Sequence, residues 1–461
     1  MRWIAYLAGI GLALFGTTVS AQQPGGKPNI VYIVADDMGW KDVGFHGSDI
    51  KTPNIDRLAA TGARLEQFYA QPMCTPSRAC LMTGRYPFRY GLQTAVILSG
   101  HTYGLPTDEW LLPQALKDAG YSTAIIGKWH LGHGDRKYWP RQRGFDYQYG
   151  PLIGEIDYFT HESNGVMDWY RDNEPLKEEG YSTTLIGNDA VKFINNAASP
   201  FYLYLTFNAP HTPYQAPQEY LDQYKSIEDP ARRAYAASIT AMDDQVGRVV
   251  EALQSKQIRD NTLIIFQSDN GGLRNAMFAG EADVSKLTIP NDNGPYRDGK
   301  GSIYEGGTRV CALVNWPGHV RPGAVEGMIH VVDMYPTLAA LAGASTAKCK
   351  PLDGMDVWSA ISQGSPSPRT EVVYNLEPFR AGIRHGDWKL VWRTPLPEAI
   401  ELYNIPQDPS ESTNVATQNP EKVAALQKRA NELAATMAKP MFLVVEFQAL
   451  RERVKLPPAM P

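Results

Sequence analysis

Short apolar runs alternate with stretches of helical periodicity from residue 28 to about residue 340, and this alternation constrains the fold more than any other feature. Three of the apolar runs read PNIVYIVADD from Pro28, FYLYLTFNAPH from Phe201 and TLIIFQSDNGG from Thr262. Such runs, separated by helices, are typical of parallel strands that are buried on both faces. The sequence therefore predicts an α/β fold in which helices flank a large mixed, mostly parallel sheet.

The pattern changes after about residue 345. The segments EVVYNLEPF and AGIRHGDWKLVW read as short antiparallel strands with a hairpin tip at residues 385–387, and an amphipathic helix is expected from Pro420. A chain of 461 residues also exceeds what one hydrophobic core usually serves. We therefore expect a large domain over residues 24–345, which carries the candidate site, and a C-terminal α+β domain with an antiparallel sheet over residues 346–461.

The first residues, MRWIAYLAGIGLALFGTTVSAQQ, have the pattern of a secretory signal peptide. We expect the signal to cover residues 1–21, with cleavage after Ala21 and a periplasmic or secreted product. The apolar run from about Ile4 to Phe15 is shorter than the roughly 20 residues that span a bilayer, so no stable membrane anchor is expected. A net charge of -5 excludes a generally basic surface, and no nucleic-acid partner is expected.

Polar side chains follow the strands at the edge of the predicted sheet where ligands bind. Asp36 and Asp37 end one strand, and Asp269 and Asn270 end another. Oxygen ligands without cysteine or histidine favour calcium or magnesium over zinc. Either pair alone is more often a solvated turn, and Asn270 followed by glycine is a common hairpin turn, but their shared edge favours a metal site.

Two further strand ends supply positive charge. Lys128 and His130 lie in GKWHLG, and His211 lies in NAPHTPY. Any one of them is more often a surface lysine or a packed histidine, but their common position at one sheet edge favours an anion site. A basic cluster follows GKWHLG and is read either as a polyanion entrance or, more commonly, as a solvated loop; its members are Arg136, Lys137, Arg141 and Arg143.

Cys74 lies in the stretch QPMCTPSRAC. Proline suits the first turn of a helix, so Pro76 predicts a helix that begins at Cys74 or Thr75, where free N–H groups attract anions. Arg78 then lies where the helix dipole disfavours a cation, and a bound anion would resolve that conflict. From position alone, a buried structural thiol or half of a disulfide is the more common interpretation of Cys74. The chain has only three other cysteines, Cys80, Cys311 and Cys349.

The stretch CTPSR followed by TGR, together with GYSTAIIGKWHLG, resembles the two signatures of the type I sulfatases, which belong to the alkaline phosphatase superfamily. The resemblance extends to ADDMGWKDVGFHGS, RQRGFD, EGGTR and ELYNIPQDPSESTN. Within the family, the stretches QPMCTPSR, HGSDIKTPNID and PLDGMDVWSAISQGSPSPR are most similar to the arylsulfatase B group, the N-acetylgalactosamine-4-sulfatases.

This resemblance implies that a formylglycine-generating enzyme oxidises Cys74 to Cα-formylglycine, and that a hydroxyl of the hydrated aldehyde attacks sulfur. It implies a calcium ion, or alternatively magnesium, held by Asp36, Asp37, Asp269, Asn270 and an oxygen of the modified Cys74. It implies sulfate binding by Arg78, Lys128, His211 and Lys300. His130 would act as base on the modified residue, and His211, with Lys300, would protonate the leaving oxygen.

The expected activity is removal of O-sulfate from a sulfated carbohydrate, either a glycosaminoglycan that carries N-acetylgalactosamine-4-sulfate or an algal galactan. Aryl sulfates are expected to be substrates as well. One alternative is a phosphodiesterase or phosphonate monoester hydrolase of the same superfamily. A second, of another class, is a non-catalytic sulfoglycan-binding protein in which Cys74 remains a thiol.

Overall fold

The structure is a computed structural model and describes residues 26–454 except residues 199, 275–288 and 395–396. The signal peptide expected over residues 1–21 lies outside the described residues. No helix within the described part of the chain is long and apolar enough to cross a membrane.

Eighteen strands are described. They are β1 (Asn29–Ala35), β2 (Ala63–Leu65), β3 (Phe68–Tyr69), β4 (Ser122–Gly127), β5 (Tyr147–Gly150), β6 (Glu162–Ser163), β7 (Val166–Met167), β8 (Tyr170–Arg171), β9 (Glu174–Pro175), β10 (Phe201–Thr206), β11 (Thr262–Ser268), β12 (Ala312–Asn315), β13 (Gly323–Val325), β14 (Ile329–His330), β15 (Glu371–Glu377), β16 (Arg380–His385), β17 (Trp388–Arg393) and β18 (Ala399–Asn404).

The described α-helices are α1 (Pro53–Ala60), α2 (Cys74–Thr83), α3 (Leu112–Asp118), α4 (Ser182–Asn196), α5 (Gln218–Leu221), α6 (Pro230–Ser255), α7 (Glu305–Thr308), α8 (Met334–Ala342), α9 (Trp358–Gln363), α10 (Pro420–Ala434) and α11 (Met441–Arg453). The longest, α6, begins where the carboxylate of Asp229 accepts hydrogen bonds from the backbone N–H groups of Ala231 and Arg232, as an N-cap does.

Ten strands form the large sheet in the order β13-β2-β12-β11-β1-β10-β4-β5-β8-β9. Its centre, from β11 to β5, is parallel, whereas β12 runs antiparallel to both of its neighbours. The predicted fold class, a large mixed and mostly parallel sheet flanked by helices, is therefore confirmed.

Strand β1 shows why this part of the sheet reads as a continuous apolar run, since all seven of its residues are buried. Its side chains alternate between two hydrophobic cores: Ile30 and Tyr32 pack on one face, and Val31 and Ile33 pack on the other. The helices that cover these two faces leave the carboxyl ends of the strands as the place for polar side chains.

The small sheet is antiparallel, in the order β15-β16-β17-β18, and the tip that joins β16 to β17 lies at residues 386–387, as predicted. Helix α10 packs against this sheet with a buried apolar face, also as predicted. Residues of the small sheet such as Ile383 and Leu390 belong to the same hydrophobic core as Ile30 of the large sheet. The domain boundary at residue 345 stays a prediction.

All four cysteines are unpaired thiols. The Cys349 sulfur lies 3.1 Å from the hydroxyl of Tyr335, and Cys80 and Cys311 are fully buried. The open question of a disulfide among the three cysteines other than Cys74 is thus answered: the structure contains none.

Candidate active site

The register of the central strands brings their last residues to one edge. Val34 of β1 pairs with Thr206 of β10, and Thr206 pairs in turn with Gly127 of β4. Beyond the strands, the Lys128 N–H donates to the Thr206 carbonyl over 2.9 Å, and the Asp269 N–H donates to the Ala35 carbonyl over 3.0 Å. Side chains from four strand ends therefore converge.

Helix α2 begins at Cys74, as predicted from Pro76, and its first turn faces this convergence. The hydroxyl of Ser77 accepts from the N–H of Gln71 and donates to its carbonyl, both at 2.9 Å, which fixes the chain as it enters the helix. The Cys74 sulfur lies 3.3 Å from Oδ1 of Asp36 and 3.7 Å from Oδ1 of Asp37.

As a thiol, Cys74 is poorly suited to act as a nucleophile. It is 1% exposed, and burial together with the carboxylates of Asp269 and Asp36 raises its pKa well above the ordinary value. The thiolate is the reactive form of cysteine. The unmodified side chain is therefore held in its least reactive form.

The residues expected to hold a divalent cation are brought together. Donor atoms of Asp36, Asp37, Cys74 and His211 all lie within 4.8 Å of one another, and all four side chains are buried. Asp269 adjoins this group, since its Oδ1 accepts the backbone N–H of Asp37 at 3.2 Å.

The donor chemistry fits a hard cation. Asn270 Oδ1 is buried without a hydrogen-bond partner among the described residues, although its amide nitrogen donates to Asp37 Oδ1 at 2.8 Å. Buried polar atoms are rarely left unpaired, and an unpaired oxygen beside three carboxylates is the environment that calcium or magnesium requires. His211, predicted to bind sulfate rather than the cation, also lies within this group.

Each carboxylate carries its own cation. Arg78 pairs with Asp269 at 2.8 Å, Lys300 pairs with Asp37 at 2.6 Å, and Lys128 pairs closely with Asp36. Three carboxylates thus face three permanent cations in a buried space, and their charges balance. Any divalent cation bound by the carboxylates would leave the site with an excess of positive charge, which is what an anionic ligand needs.

Lys300 and His211 influence one another. Burial alone would lower the pKa of Lys300, but the Asp37 carboxylate raises it above the ordinary value. Burial and the Lys300 ammonium lower the pKa of His211 to about 4. His211 Nε2 lies 3.1 Å from Lys300 Nζ and 3.3 Å from Asp37 Oδ2. His211 is therefore neutral at physiological pH, and Lys300 is charged.

His130 completes the predicted set. Its backbone adopts the left-handed conformation (φ 58°), and the hydroxyl of Thr75 donates to its carbonyl at 3.0 Å, which ties it to α2. Nε2 lies 3.1 Å from the carbonyl of Ile97, while the buried Nδ1 has no partner among the described residues. Burial and the nearby Lys128 and Arg78 lower its pKa well below the ordinary value, so the ring is neutral and can accept a proton.

The ring of His130 packs against Gly154, where only a glycine fits. A Cβ at residue 154 would lie 2.3 Å from Cε1 of His130. The backbone that leads to Gly154 is fixed by Asp168, whose carboxylate accepts the N–H groups of Leu152 and Ile153 at 3.1 and 2.7 Å.

We expect Gly154→Ala to lower kcat by about 10- to 100-fold, because the methyl group displaces the His130 ring. Overpacking costs about 1–3 kcal/mol, so the variant should still fold. Steady-state kinetics and a thermal melt measure the two effects separately. Gly100→Ala is the matched control because nothing lies within 4 Å of a Cβ at residue 100; equal loss of activity in both variants would contradict this role for Gly154.

Two asparagines that hold the loops around Asp37 and Gly272 were not identified from the sequence. Asn291 Nδ2 donates to the carbonyl of Asp37 at 2.9 Å. Asn293 bonds both to the N–H of Gly272, at 2.9 Å, and to its carbonyl, at 3.0 Å. Both asparagines lie shortly before Lys300 in NDNGPYRDGK, a stretch that has no regular period to mark it.

Both interpretations of the basic cluster after GKWHLG, a polyanion entrance and a solvated loop, are wrong for Arg143. This side chain is 2% exposed and donates to the carbonyls of Leu105, Pro106 and Glu109. The other members pair with carboxylates near the surface: Arg136 with Glu174, Lys137 with Asp135, and Arg141 with Asp172.

Comparison with known protein families gives two matches. The sulfatase family matches residues 28–344, and the family described as N-sulphoglucosamine sulphohydrolase, C-terminal, matches residues 296–439. The first match covers the large sheet and every residue of the predicted site.

Two curated relatives are arylsulfatase J of Mus musculus and N-acetylgalactosamine-6-sulfatase of Homo sapiens. The first is 38% identical over 390 residues, which are 82% of this chain and 63% of that protein. The second is 35% identical over 385 residues, which are 78% of this chain and 70% of that protein. The chain thus spans less than two thirds of the length of the arylsulfatase.

A solved structure, that of Ps i-CgsB in complex with k-i-k-neocarrahexaose, superimposes with a TM-score of 0.82 at 35% identity. The superposition covers 90% of this chain and 94% of that chain. A phosphonate monoester hydrolase of Agrobacterium radiobacter also superimposes, with a TM-score of 0.60 at 20% identity, and shares the fold.

Proposed function

Because the chain belongs to the sulfatase family, we propose that it hydrolyses O-sulfate esters of sulfated carbohydrates. The observation that carries the proposal is the arrangement at the start of α2: Cys74 lies in contact with two carboxylates, and three permanent cations surround them. A binding protein has no need for this combination.

The residues fit two groups that the family uses. Conversion of Cys74 to formylglycine by a formylglycine-generating enzyme would supply a hydrated aldehyde as the nucleophile, and calcium or magnesium held by Asp36, Asp37, Asp269 and Asn270 would lower the pKa of its hydroxyl. The high pKa of the Cys74 thiol supports the need for such a conversion.

The chain's own side chains bind and orient the sulfate. Arg78, Lys128 and Lys300 are permanent cations that are at most 6% exposed, and they neutralise charge on the sulfate oxygens in a site that excludes water. A cation that occupies the carboxylates would make Lys128 and Lys300 available to the substrate.

Two neutral histidines handle protons. His211 lies within hydrogen-bond distance of Lys300, and the Lys300 ammonium can supply the proton to the leaving oxygen. His130 has an unpartnered Nδ1 and a depressed pKa, so it can accept the proton of the second hydroxyl. Removal of that proton would let the carbonyl re-form and sulfate depart, so that no water would have to attack the sulfate ester.

The charge balance favours esters that carry one negative charge. A divalent cation adds two positive charges to a balanced site, and an anionic nucleophile with a sulfate monoester cancels both. A phosphate monoester carries about −1.5 to −2 charge at neutral pH and would leave the site negative. A phosphodiester or phosphonate monoester carries one charge, so hydrolysis of these esters is the second candidate function.

For the substrate, we propose a sulfated galactose-type polysaccharide, either a glycosaminoglycan with N-acetylgalactosamine-4-sulfate or an algal galactan. The support is the likeness to an N-acetylgalactosamine-6-sulfatase and to a protein solved with k-i-k-neocarrahexaose. The ester position and the periplasmic or secreted location stay predictions.

A panel of esters tests this proposal. We expect kcat/KM for 4-nitrophenyl sulfate to exceed that for bis(4-nitrophenyl) phosphate and a phenylphosphonate ester by about 100-fold or more. The reason is that the three terminal oxygens of a sulfate ester match the three cations. Sulfate release from defined sulfated galactosides, measured by ion chromatography, then identifies the sugar. Preference for the phosphorus esters would establish the second candidate, and saturable glycan binding without sulfate release would establish a non-catalytic binding protein.

A further inference from the structure

Four buried polar side chains meet between the small sheet and the segment that carries Lys300. The ammonium of Lys389, on β17, lies 3.0 Å from a carboxylate oxygen of Glu305 and 2.8 Å from one of Glu411. The hydroxyl of Tyr374, on β15, donates to the same Glu305 oxygen at 2.5 Å, and its ring lies 3.7 Å from the ammonium. None of these four side chains is more than 1% exposed.

Stability alone does not explain a buried ionic cluster. Burying charged groups costs desolvation energy, and apolar residues of similar volume often serve as well in a core. The cluster does, however, fix the backbone: Glu411 Oε2 accepts the N–H of Glu305 at 2.7 Å, and Tyr69 donates to the other Glu305 oxygen at 2.9 Å. Glu305 is therefore held through both its side chain and its main chain.

The turn that begins at Glu305 contacts the two segments that carry Asn270 and Cys74. The carbonyl of Gly307 accepts the N–H of Gly271, which follows Asn270, at 3.0 Å. The carbonyl of Thr308 accepts the N–H of Ala70, shortly before Cys74, at 2.8 Å. The approach is close, since a Cβ at residue 271 would lie 1.8 Å from the Gly306 carbonyl oxygen.

The segment just before this turn carries Lys300 itself. The Lys300 N–H donates to the Gly272 carbonyl at 3.0 Å, and the Gly301 N–H donates to the Pro72 carbonyl at 2.7 Å. Arg380, at the start of β16, donates to the Gly301 carbonyl at 2.7 Å. The small sheet thus contacts the chain at Gly301 and at Glu305, shortly after Lys300.

We propose that Lys389 is a positioning residue for the active site: by pairing with both Glu305 and Glu411, it fixes the turn that sets Lys300 and Asn270 relative to Cys74. The proposal rests on the proposed function, which assigns Lys300 to the sulfate. It also assigns a role to the small sheet, which completes the site without contributing a side chain to the sulfate.

The test compares Lys389→Met with Lys389→Arg in the full chain. Without the ammonium, Glu305 and Glu411 lose the partner that joins them and the Glu305 turn moves. We therefore expect kcat for 4-nitrophenyl sulfate to fall by about 100-fold, the loss that follows a displacement of about 1 Å. The arginine variant keeps the charge and should recover most of this loss. Lys422→Met is the matched control, because Lys422 is an exposed lysine that contacts only the Trp388 ring, at 4.5 Å, among the interactions of the described residues.

If the role of Lys389 were only structural, its replacement would lower the melting temperature but leave the kcat of the folded enzyme unchanged. A folded Lys389→Met protein with kcat within twofold of wild type would overturn the proposal. Should that variant not fold, Tyr374→Phe removes one hydrogen bond from a neutral donor to the Glu305 carboxylate and is expected to lower kcat by about fivefold. Wild-type kcat in this variant would equally overturn the proposal.

Binding of inorganic sulfate tests the positioning role of Lys389 independently of the proposed function. If the wild-type protein releases no sulfate from any ester, the proposed function fails, but the cations around Cys74 still predict binding of inorganic sulfate in the presence of calcium. Calorimetry should then show about tenfold weaker sulfate binding for Lys389→Met than for wild type. Equal affinities would overturn the positioning role independently of turnover.

Discussion

Replacement of Cys74 by alanine is expected to abolish turnover, by at least about 10⁴-fold, because it removes the nucleophile that the rest of the site serves. The side chain is 1% exposed, so the loss of its sulfur costs about 1 kcal/mol or slightly more and leaves the fold intact. Residual binding of inorganic sulfate should persist, since all three permanent cations remain.

The matched control for this experiment lies in the same helix. Cys80 is also fully buried, but it packs in the hydrophobic core and contacts no carboxylate of the site. Cys80→Ala should therefore lose similar stability and keep its activity. Activity of Cys74→Ala above about 1% of wild type would contradict the nucleophile assignment.

The same residue offers a second readout that does not depend on turnover. Oxidation of Cys74 to an aldehyde lowers the mass of the tryptic peptide that contains it and makes that peptide reactive towards hydrazides. A peptide that retains the mass of cysteine in a fully active preparation would show that the thiol itself, despite its raised pKa, performs the reaction.

The parts of the site at strand ends were predictable because a physical rule applies to them. Parallel strands deliver the residues that follow them to one edge, so Asp36, Lys128, His211 and Asp269 could be placed together from the pattern alone. Pro76 fixed the start of α2 in the same way, and the structure confirms that Cys74 is the first residue of this helix.

Lys300 shows the limit of such rules. It reaches Asp37 from a loop between β11 and β12, and no hydrophobic period marks the loop, so only the family resemblance identified it. The cluster of Lys389 with Glu305 and Glu411 was missed for a different reason. A lysine within a short strand reads as a solvent-facing residue, and only the packing of the small sheet on α7 shows that it is buried between two carboxylates.

Arg143 was misread for the converse reason. A cluster of basic residues usually lies on the surface, but the guanidinium of Arg143 is buried and donates hydrogen bonds to three backbone carbonyls. Composition alone does not distinguish a cation that meets an anionic ligand from one that satisfies backbone carbonyls.

Removal of divalent cations is expected to abolish activity and to lower stability together. Chelation should lower kcat/KM by about 10³-fold or more, since the nucleophile then loses the charge that lowers its pKa, and added calcium should restore it. A ligand that binds only the folded state stabilises it by about 2.7 kcal/mol at a concentration 100 times its Kd. A rise in melting temperature on addition of calcium therefore reports on the site without any substrate.

Asp37→Asn tests whether calcium acts through the carboxylates at the start of α2. Asp37 is paired with Lys300 at 2.6 Å and lies 3.3 Å from His211, and these two neighbours hold its pKa well below the ordinary value although burial opposes them. An amide at residue 37 removes one negative charge beside the Lys300 ammonium, so calcium should no longer raise the melting temperature.

The control substitution is Asp243→Asn. Asp243 is a fully buried carboxylate on α6 that accepts the N–H groups of Asn54 and Ile55 at 3.0 and 2.8 Å, at the start of α1. Its loss should cost about 1–3 kcal/mol of stability, because an N–H group loses its acceptor, yet the calcium-induced rise in melting temperature should remain. Two variants destabilised alike, of which only Asp37→Asn loses the response to calcium, would locate the cation at the start of α2; an unchanged response in Asp37→Asn would exclude that site.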